Sequence, residues 1–166
     1  MTERMIARAA GSGTASWALG GLFETLVAGA ETDGLLGVSL VTQPAGTAPF
    51  MHVHTREAEA WYLLSGTLTY QAGDERVDLE AGGFIYLPRG VPHAFRTTSD
   101  VRYLALTLPG GVMDLYDEVG TPAAARRLPD GGINGGINGG INGEEIARWM
   151  AAAPRYGLQV VGPPIG

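Results

Sequence analysis

The sequence predicts an all-β protein, a small barrel followed by short C-terminal helices. Between residues 17 and 108, short apolar runs alternate with Gly, Pro, Asp and Ser turns at a roughly regular spacing, which is typical of a β-sandwich or barrel. Beyond residue 109 the apolar spacing becomes that of helices. We therefore expect an N-terminal arm at 1–16, a β-barrel at 17–108 and a helical extension at 109–166.

The apolar runs of the barrel region predict short strands. Each run is bounded by residues that favour turns, such as Gly73-Asp74 and Gly82-Gly83. The predicted strands are 17–19, 23–28, 36–43, 48–54, 59–64, 67–72, 76–79, 84–87, 93–97 and 101–108.

The extension predicts short helices. One apolar face is formed by Val112, Leu115, Tyr116 and Val119 at helical spacing. Thr121-Pro122, an N-cap followed by a proline, predicts a second short helix as far as Arg127. A third helical pattern, formed by Ile146, Trp149, Met150 and Ala153, follows the possible capping pair Asn142 and Glu145 and ends near Pro154 and Gly157.

A four-residue Ile-Asn-Gly-Gly repeat fills the interval between these helices. Its period and its glycine content support neither a helix nor a strand, so residues 131–143 are predicted to form a surface loop. A lid and a calcium-binding repeat are the functional alternatives. Calcium is the weaker of the two, because the repeat itself has no carboxylate.

The composition excludes several classes of function. The chain has no cysteine, and its basic residues are all arginine, which excludes thiol, cysteine–metal and lysine Schiff-base chemistry. A net charge of −6 argues against nucleic acid as a partner. We find neither a signal-peptide pattern nor a bilayer-spanning apolar run, so we expect a cytoplasmic protein with no membrane partner.

The chain has three histidines, and two of them, His52 and His54, are one residue apart. Residues i and i+2 of a strand share a face, so their imidazoles should converge as metal ligands do. Glu59 would face the opposite side of an unbroken strand. We therefore expect a turn or bulge at 55–58 that returns Glu59 to the histidine side.

The third histidine, His93, follows two closely spaced turns, Gly82-Gly83 and Pro88-Arg89-Gly90. These turns should bring His93 to the start of a new strand beside the pair. A lone His-x-His pattern occurs often by chance. The combination with the spacing to Glu59 and with the second segment favours a metal site over unrelated buried histidines.

Three charged neighbours are less informative. Glu57 could support the site from behind, but a solvated turn residue is the expected interpretation. Arg89, at the tip of a turn, is expected to face solvent rather than an anionic substrate. Arg96 alternates with His93 and is expected to point out of the barrel.

Both segments resemble the motifs of the cupin superfamily. His52, His54, Glu59 and Gly66 fit HxHx(4)Ex(6)G, and Gly82, Pro88, Gly90 and His93 fit Gx(5)PxGxxHx(3)N, with Thr97 in place of the final Asn. The resemblance implies a cupin (double-stranded β-helix, or jelly-roll) barrel in which His52, His54, Glu59 and His93 bind one divalent metal. That donor set suits Fe, Ni, Co or Mn, and Zn as well. Residues 109–130 and the C-terminal segment are similar to single-domain cupins of the quercetin 2,3-dioxygenase type.

The expected barrel interior is apolar and aromatic. Strand parity places Phe50, Trp61, Leu63 and Phe95 around the metal, with Met51 and Tyr86 as further candidates. Such a wall favours an aromatic or polyketide-like enol or phenol as the small-molecule substrate.

Three functions remain open at this stage. The first is a quercetinase-like dioxygenase in which Glu59 acts as both ligand and base. The second is a non-redox cyclase or isomerase that uses the same residues. The third is a non-catalytic small-molecule-binding cupin. A homodimer is expected, because the outward residues Tyr62 and Leu64 need covering by a second sheet, the helices or a partner.

Overall fold

The computed structural model describes residues 4–130 and 143–166, which form two antiparallel sheets packed face to face. The predicted loop at 131–143 lies outside the described residues except for Gly143, which begins a helix. Within those two ranges no helix is long and apolar enough to cross a bilayer.

Strands account for most of the regular structure. In chain order they are β1 (Thr14–Ala18), β2 (Gly21–Val27), β3 (Gly37–Gln43), β4 (Met51–His54), β5 (Ala58–Ser65), β6 (Thr67–Ala72), β7 (Glu75–Glu80), β8 (Phe84–Leu87), β9 (His93–Thr97), β10 (Val101–Leu108), β11 (Thr121–Pro122) and β12 (Leu158–Gly162). The larger sheet has the order β11-β1-β2-β3-β10-β5-β8, and the smaller one has the order β12-β4-β9-β6-β7.

The described part of the C-terminal region has two α-helices, α1 (Asp114–Val119) and α2 (Gly143–Ala152). A 3-10 helix at Gly29–Thr32 links β2 to β3, and a second at Ala153–Tyr156 links α2 to β12. Leu115 of α1 and Trp149 of α2 are buried and join the hydrophobic core between the sheets. The helices therefore close one side of the core.

Strand register decides which side chains enter the space between the sheets. β5 and β10 pair with Glu59 opposite Thr107 and Trp61 opposite Ala105. All of these residues are buried, whereas Tyr62, on the other face of β5, is 44% exposed. The period-2 pattern of the sequence is therefore confirmed on this strand pair.

Gly66, in the tight connection between β5 and β6, has a steric reason to be glycine. Its φ is +83°, in the left-handed region, and an added Cβ would lie 2.1 Å from the carbonyl oxygen of Asp100. A side chain here would push apart β6 and the connection that leads into β10.

Most predicted strands are found within one or two residues of their expected bounds. β1 begins at Thr14, inside the predicted N-terminal arm. The predicted strand 48–54 is regular only from Met51 onward. Pro49 lacks a backbone N–H, and Ala48 to Phe50 border a cavity instead of pairing with a strand.

The prediction of a helix from Pro122 to Arg127 is wrong. Thr121 and Pro122 form β11, which pairs with Trp17 and Ser16 of β1. The following segment is tied to the sheet by the Arg126–Glu24 ion pair, at 2.6 Å, and by the indole of Trp17, which donates to the Arg127 carbonyl. These long-range contacts outweigh the local cap signal.

The strand β12 is a feature that the sequence analysis missed. It adds to the free edge of β4, with Leu158 opposite His54 and Val160 opposite His52. Gly157, just before it, accepts hydrogen bonds from the backbone N–H and the hydroxyl of Thr55. The predicted helical extension therefore also supplies strands to both sheets.

Leu158 tests how much β12 contributes to stability. Its side chain is 1% exposed, so Leu158→Ala leaves a core cavity and is expected to cost about 2–5 kcal/mol of unfolding free energy. Val161→Ala on the same strand is the control, because Val161 is 51% exposed and its truncation should cost under about 0.5 kcal/mol. Urea unfolding measures both. Equal effects would contradict the placement of β12.

Candidate metal centre

The two neighbouring histidines lie on β4, and both face the space between the sheets. His52 and His54 are 8% and 5% exposed. His93, the first residue of β9, pairs directly with His52 and is 1% exposed. One ligand nitrogen from each of the three lies within 4.8 Å of the others. The structure thus brings His93 together with a pair of histidines about forty residues earlier in the sequence.

A hydrogen bond donated by Nδ1 orients each imidazole. Nδ1 of His52 lies 2.8 Å from the Phe50 carbonyl oxygen, and Nδ1 of His93 lies 2.9 Å from the Val91 carbonyl oxygen. A carbonyl only accepts, so each Nδ1 carries the proton. The lone pair of each neutral ring is then on Nε2, the atom left for a ligand.

Glu59 lies on the same side as the histidines. β4 ends at His54 and β5 begins at Ala58, so the intervening bend resets the strand parity as predicted. Glu59 Oε2 is 3.9 Å from Nε2 of His54 and 3.9 Å from Nε2 of His93. A buried carboxylate therefore borders the three imidazoles.

Glu57 corrects the expectation of a solvated turn residue. It is 3% exposed, and its Oε1 accepts a 2.6 Å hydrogen bond from Nδ1 of His54. The bend between β4 and β5 turns this side chain inward, where it orients the His54 ring through Nδ1. Its spacing of three residues from a histidine was the available signal, but polar residues in turns are usually solvated.

The electrostatics keep two of the rings neutral. Burial, together with the neighbouring His93, lowers the pKa of His52 to about 3. Burial also lowers the pKa of His93, although Glu59 partly opposes it. Burial alone would lower the pKa of His54 too, but the Glu57 hydrogen bond and the charges of Glu59 and Glu57 raise it.

One atom shows that the cluster fits a metal ion. Nε2 of His93 is buried and has no hydrogen-bond partner among the described residues. Leaving a buried polar atom unpaired costs about 1–3 kcal/mol, so native structures usually supply a partner. Three oriented nitrogens and a carboxylate are a donor set that suits divalent first-row metals.

An apolar cavity adjoins the cluster. It is bordered by His52, His54 and Glu59 and by three of the proposed pocket residues, Phe50, Trp61 and Phe95. Leu63 does not border the cavity but packs in the core at 2% exposure. Met51 is not among the bordering residues either, and Tyr86 faces outward at 57% exposure.

The sequence analysis missed the helical side of this cavity. Met113 and Tyr116, at α1, and Ile146 and Trp149 of α2 complete the wall. The ring of Tyr116 stacks on Phe23 of β2 at a centroid distance of 4.0 Å. Helical spacing placed Tyr116, Ile146 and Trp149 on apolar helix faces, but it did not single out Met113 or indicate what these faces would contact.

The remaining charged candidates lie at the surface. Arg89 and Arg96 are both exposed, as expected for a turn tip and for the outward face of β9. Neither borders the cavity.

Comparisons with known proteins agree with this fold. Residues 39–107 match the family model for the cupin domain (Cupin_2). Quercetin 2,3-dioxygenase of Bacillus subtilis (strain 168) is 25% identical over 109 residues, which span 65% of this chain. The match covers only 32% of that curated relative.

Solved structures with the same fold include oxalate decarboxylase from Bacillus subtilis, with a TM-score of 0.56, 21% identity and coverage of 66% of this chain and 30% of that chain. A predicted oxalate decarboxylase from Thermotoga maritima matches with a TM-score of 0.54 and 22% identity, over 63% of this chain and 99% of that chain. At these identities the likeness identifies the fold alone.

Proposed function

We propose that this protein, whose residues 39–107 form a cupin domain, is a metal-dependent dioxygenase acting on an aromatic or polyketide-like enol or phenol. His52, His54, His93 and Glu59 are the proposed ligands of one Fe, Ni, Co or Mn ion, with Zn as a further candidate. A bound ion of this kind supplies Lewis-acid stabilisation of an oxygen anion and, where it is redox active, a means of activating dioxygen.

The observation that carries the proposal is the three-imidazole cluster beside an aromatic cavity that His52 and His54 border. The nitrogens lie within 4.8 Å of one another, and Trp61 and Phe95 border the adjacent space with ring centroids 4.9 Å apart. Such a wall accommodates planar rings better than a small hydrophilic acid. The named activity of the Bacillus subtilis relative, quercetin 2,3-dioxygenase, points to the same class of substrate.

The side chains take separate roles in the proposed reaction. The imidazoles would hold the ion through their Nε2 atoms, and the aromatic walls keep water from the substrate. Glu59 takes the enol or phenol proton, because its carboxylate lies beside the cluster and borders the cavity. The substrate is thereby presented as its anion.

A non-redox cyclase or isomerase remains the second candidate. It would use the same base and the same ion as a Lewis acid. The third candidate, a binding protein without turnover, needs neither a metal nor a base.

Metal analysis and oxygen consumption separate these functions. We expect about one equivalent of a divalent first-row metal per chain by mass spectrometry, and one O₂ consumed per quercetin converted in an oxygen-electrode assay. Conversion that continues without O₂ would favour the cyclase or isomerase. Absence of metal, even after reconstitution, would leave only the binding function.

A substitution of Glu57 tests whether its hydrogen bond to His54 contributes to metal binding. Glu57→Gln keeps the size of the side chain but removes the charge on the acceptor, and is expected to lower metal affinity about 10–100-fold. Competition with a chelator measures the affinity. Glu80→Gln, at an exposed carboxylate, is the control. An affinity for the metal equal to that of the control would contradict a role for Glu57.

A homodimer is also proposed. Tyr62, Leu64, Phe84 and Tyr86 remain between 44% and 59% exposed on β5 and the edge strand β8. Tyr62 lies directly opposite Phe84 in the register, so these side chains form one patch. A second copy could cover it across a two-fold axis. Light scattering after size-exclusion chromatography gives the molecular mass that tests the dimer.

A cytoplasmic location stays a prediction from the sequence.

A further inference from the structure

The amide of Gln43 is a polar group in an otherwise aromatic part of the cavity wall. Gln43 is the last residue of β3, is 7% exposed and borders the cavity together with Tyr103 of β10. Neither residue belongs to the metal-binding cluster. A buried amide among aromatic rings is costly unless its hydrogen bonds are satisfied.

Tyr103 fixes the orientation of this amide. Its hydroxyl donates to Gln43 Oε1 at 3.3 Å. Complete burial raises the pKa of Tyr103 well above its ordinary value, so the hydroxyl keeps its proton. The ring is itself held by Trp61, which stacks on it at a centroid distance of 3.9 Å. The Gln43 carbonyl is therefore occupied, and the donor side of the amide faces away from Tyr103.

That donor side has no partner in the part of the chain described. Gln43 Nε2 donates no hydrogen bond to residues 4–130 or 143–166. The indole N–H of Trp61, another cavity residue, is buried and has no hydrogen-bond partner within the same ranges. Both groups are donors, so a ligand that satisfies them must bring oxygen acceptors.

The Gln43–Tyr103 pair lies apart from the imidazoles along the barrel. On β10, Thr107 pairs with Glu59, and Tyr103 lies four residues earlier on the same strand. At a rise of about 3.3 Å per residue, these two strand positions are about 13 Å apart. A ligand that contacts both the imidazole cluster and the Gln43 amide must therefore extend beyond a single ring.

We propose that Gln43 is a specificity-determining residue, whose amide N–H donates to an oxygen of the ligand at the end remote from the metal-binding oxygens. The inference rests on the proposed function only in placing the other end of the ligand at the imidazole cluster. Tyr103 acts through Gln43 as its positioning residue. The site then selects planar aromatics that carry a hydroxyl or carbonyl oxygen at their far end.

Two flavones that differ in one distant hydroxyl test this role: 3-hydroxyflavone and 3,4′-dihydroxyflavone. Binding is measured by quenching of tryptophan fluorescence, with the protein loaded with Zn²⁺, which is not redox active. The wild type is expected to bind the dihydroxy compound about five- to tenfold more tightly, the effect of one neutral hydrogen bond. Gln43→Met keeps the length of the side chain but has no donor, and should bring the ratio of the two dissociation constants close to one.

The controls separate recognition from folding and from turnover. Gln71→Met, on β6 and outside the cavity, should keep the wild-type ratio. Gln43→Leu, which has neither a donor nor an acceptor, should lose the preference as well and serves if the methionine variant does not fold. A preference that survives in the Gln43 variants, or no binding of either flavone, would overturn the inference. Loss of oxygen consumption alone would not, because the titration involves no turnover.

Discussion

His93→Ala is expected to abolish metal binding and, with it, all metal-dependent turnover. The substitution removes the one imidazole whose Nε2 is buried and unpaired within the described chain, and leaves two histidines and a carboxylate. Removing a carboxylate that only hydrogen-bonds to a ligand histidine commonly lowers metal affinity about 10–100-fold. Removing a ligand itself should therefore lower the affinity by more than about 100-fold.

Thermal unfolding gives a readout of His93 that is independent of activity. Metal at 100 times its dissociation constant adds about 2.7 kcal/mol, which for a chain of this size raises Tm by about 5–10 °C. His93→Ala should lose this increase. Arg96→Ala is the control, because Arg96 lies on the same strand but faces outward. A metal-dependent rise in Tm that persists in His93→Ala would rule out His93 as a ligand.

Glu59→Gln is expected to lower kcat about 10²–10⁴-fold at saturating metal. The amide cannot take the substrate proton, and general-base catalysis is typically worth that much. The three imidazoles remain, so the variant should still bind metal, with a lower affinity. Oxygen uptake with quercetin measures kcat, and elemental analysis of the same samples measures the metal content.

A second substitution distinguishes the base from a purely structural carboxylate. Glu59→Asp keeps a proton acceptor and should recover part of the activity that Glu59→Gln loses. Glu75→Gln, at an exposed position on β7, is the matched control and should behave as the wild type. If metal-loaded Glu59→Gln retained more than about a tenth of the wild-type kcat, Glu59 would not be the base.

Local periodicity predicted the parts of the site that lie on single strands. The shared face of His52 and His54 follows from the two-residue period, and the parity of Glu59 required a break that the structure has between His54 and Ala58. The turns before His93 were sufficient to place it at the start of β9. These inferences needed only the geometry of strands and tight turns.

What the sequence could not predict depends on contacts between distant segments. The sequence predicts that Glu57 is solvated, and only the structure reveals that it accepts a hydrogen bond from His54. Thr121-Pro122 has a helix-start pattern but is held extended by Trp17 and its neighbour on β1. Trp149 was expected to be buried, yet its position on the cavity wall follows from the packing of α2. Tertiary packing overrides such weak local preferences.

The pairing of β12 with β4 has a consequence for synthesis on the ribosome. At about 5–20 residues per second, roughly 5–20 s separate the emergence of His54 from that of its partner Leu158. During that interval one edge of the histidine strand is open, and open strand edges pair readily with other chains. The polypeptide therefore depends on β12 both to cover this edge and to complete the strand pairing that holds His52 and His54 in place. Chains that stall before it are the ones expected to aggregate.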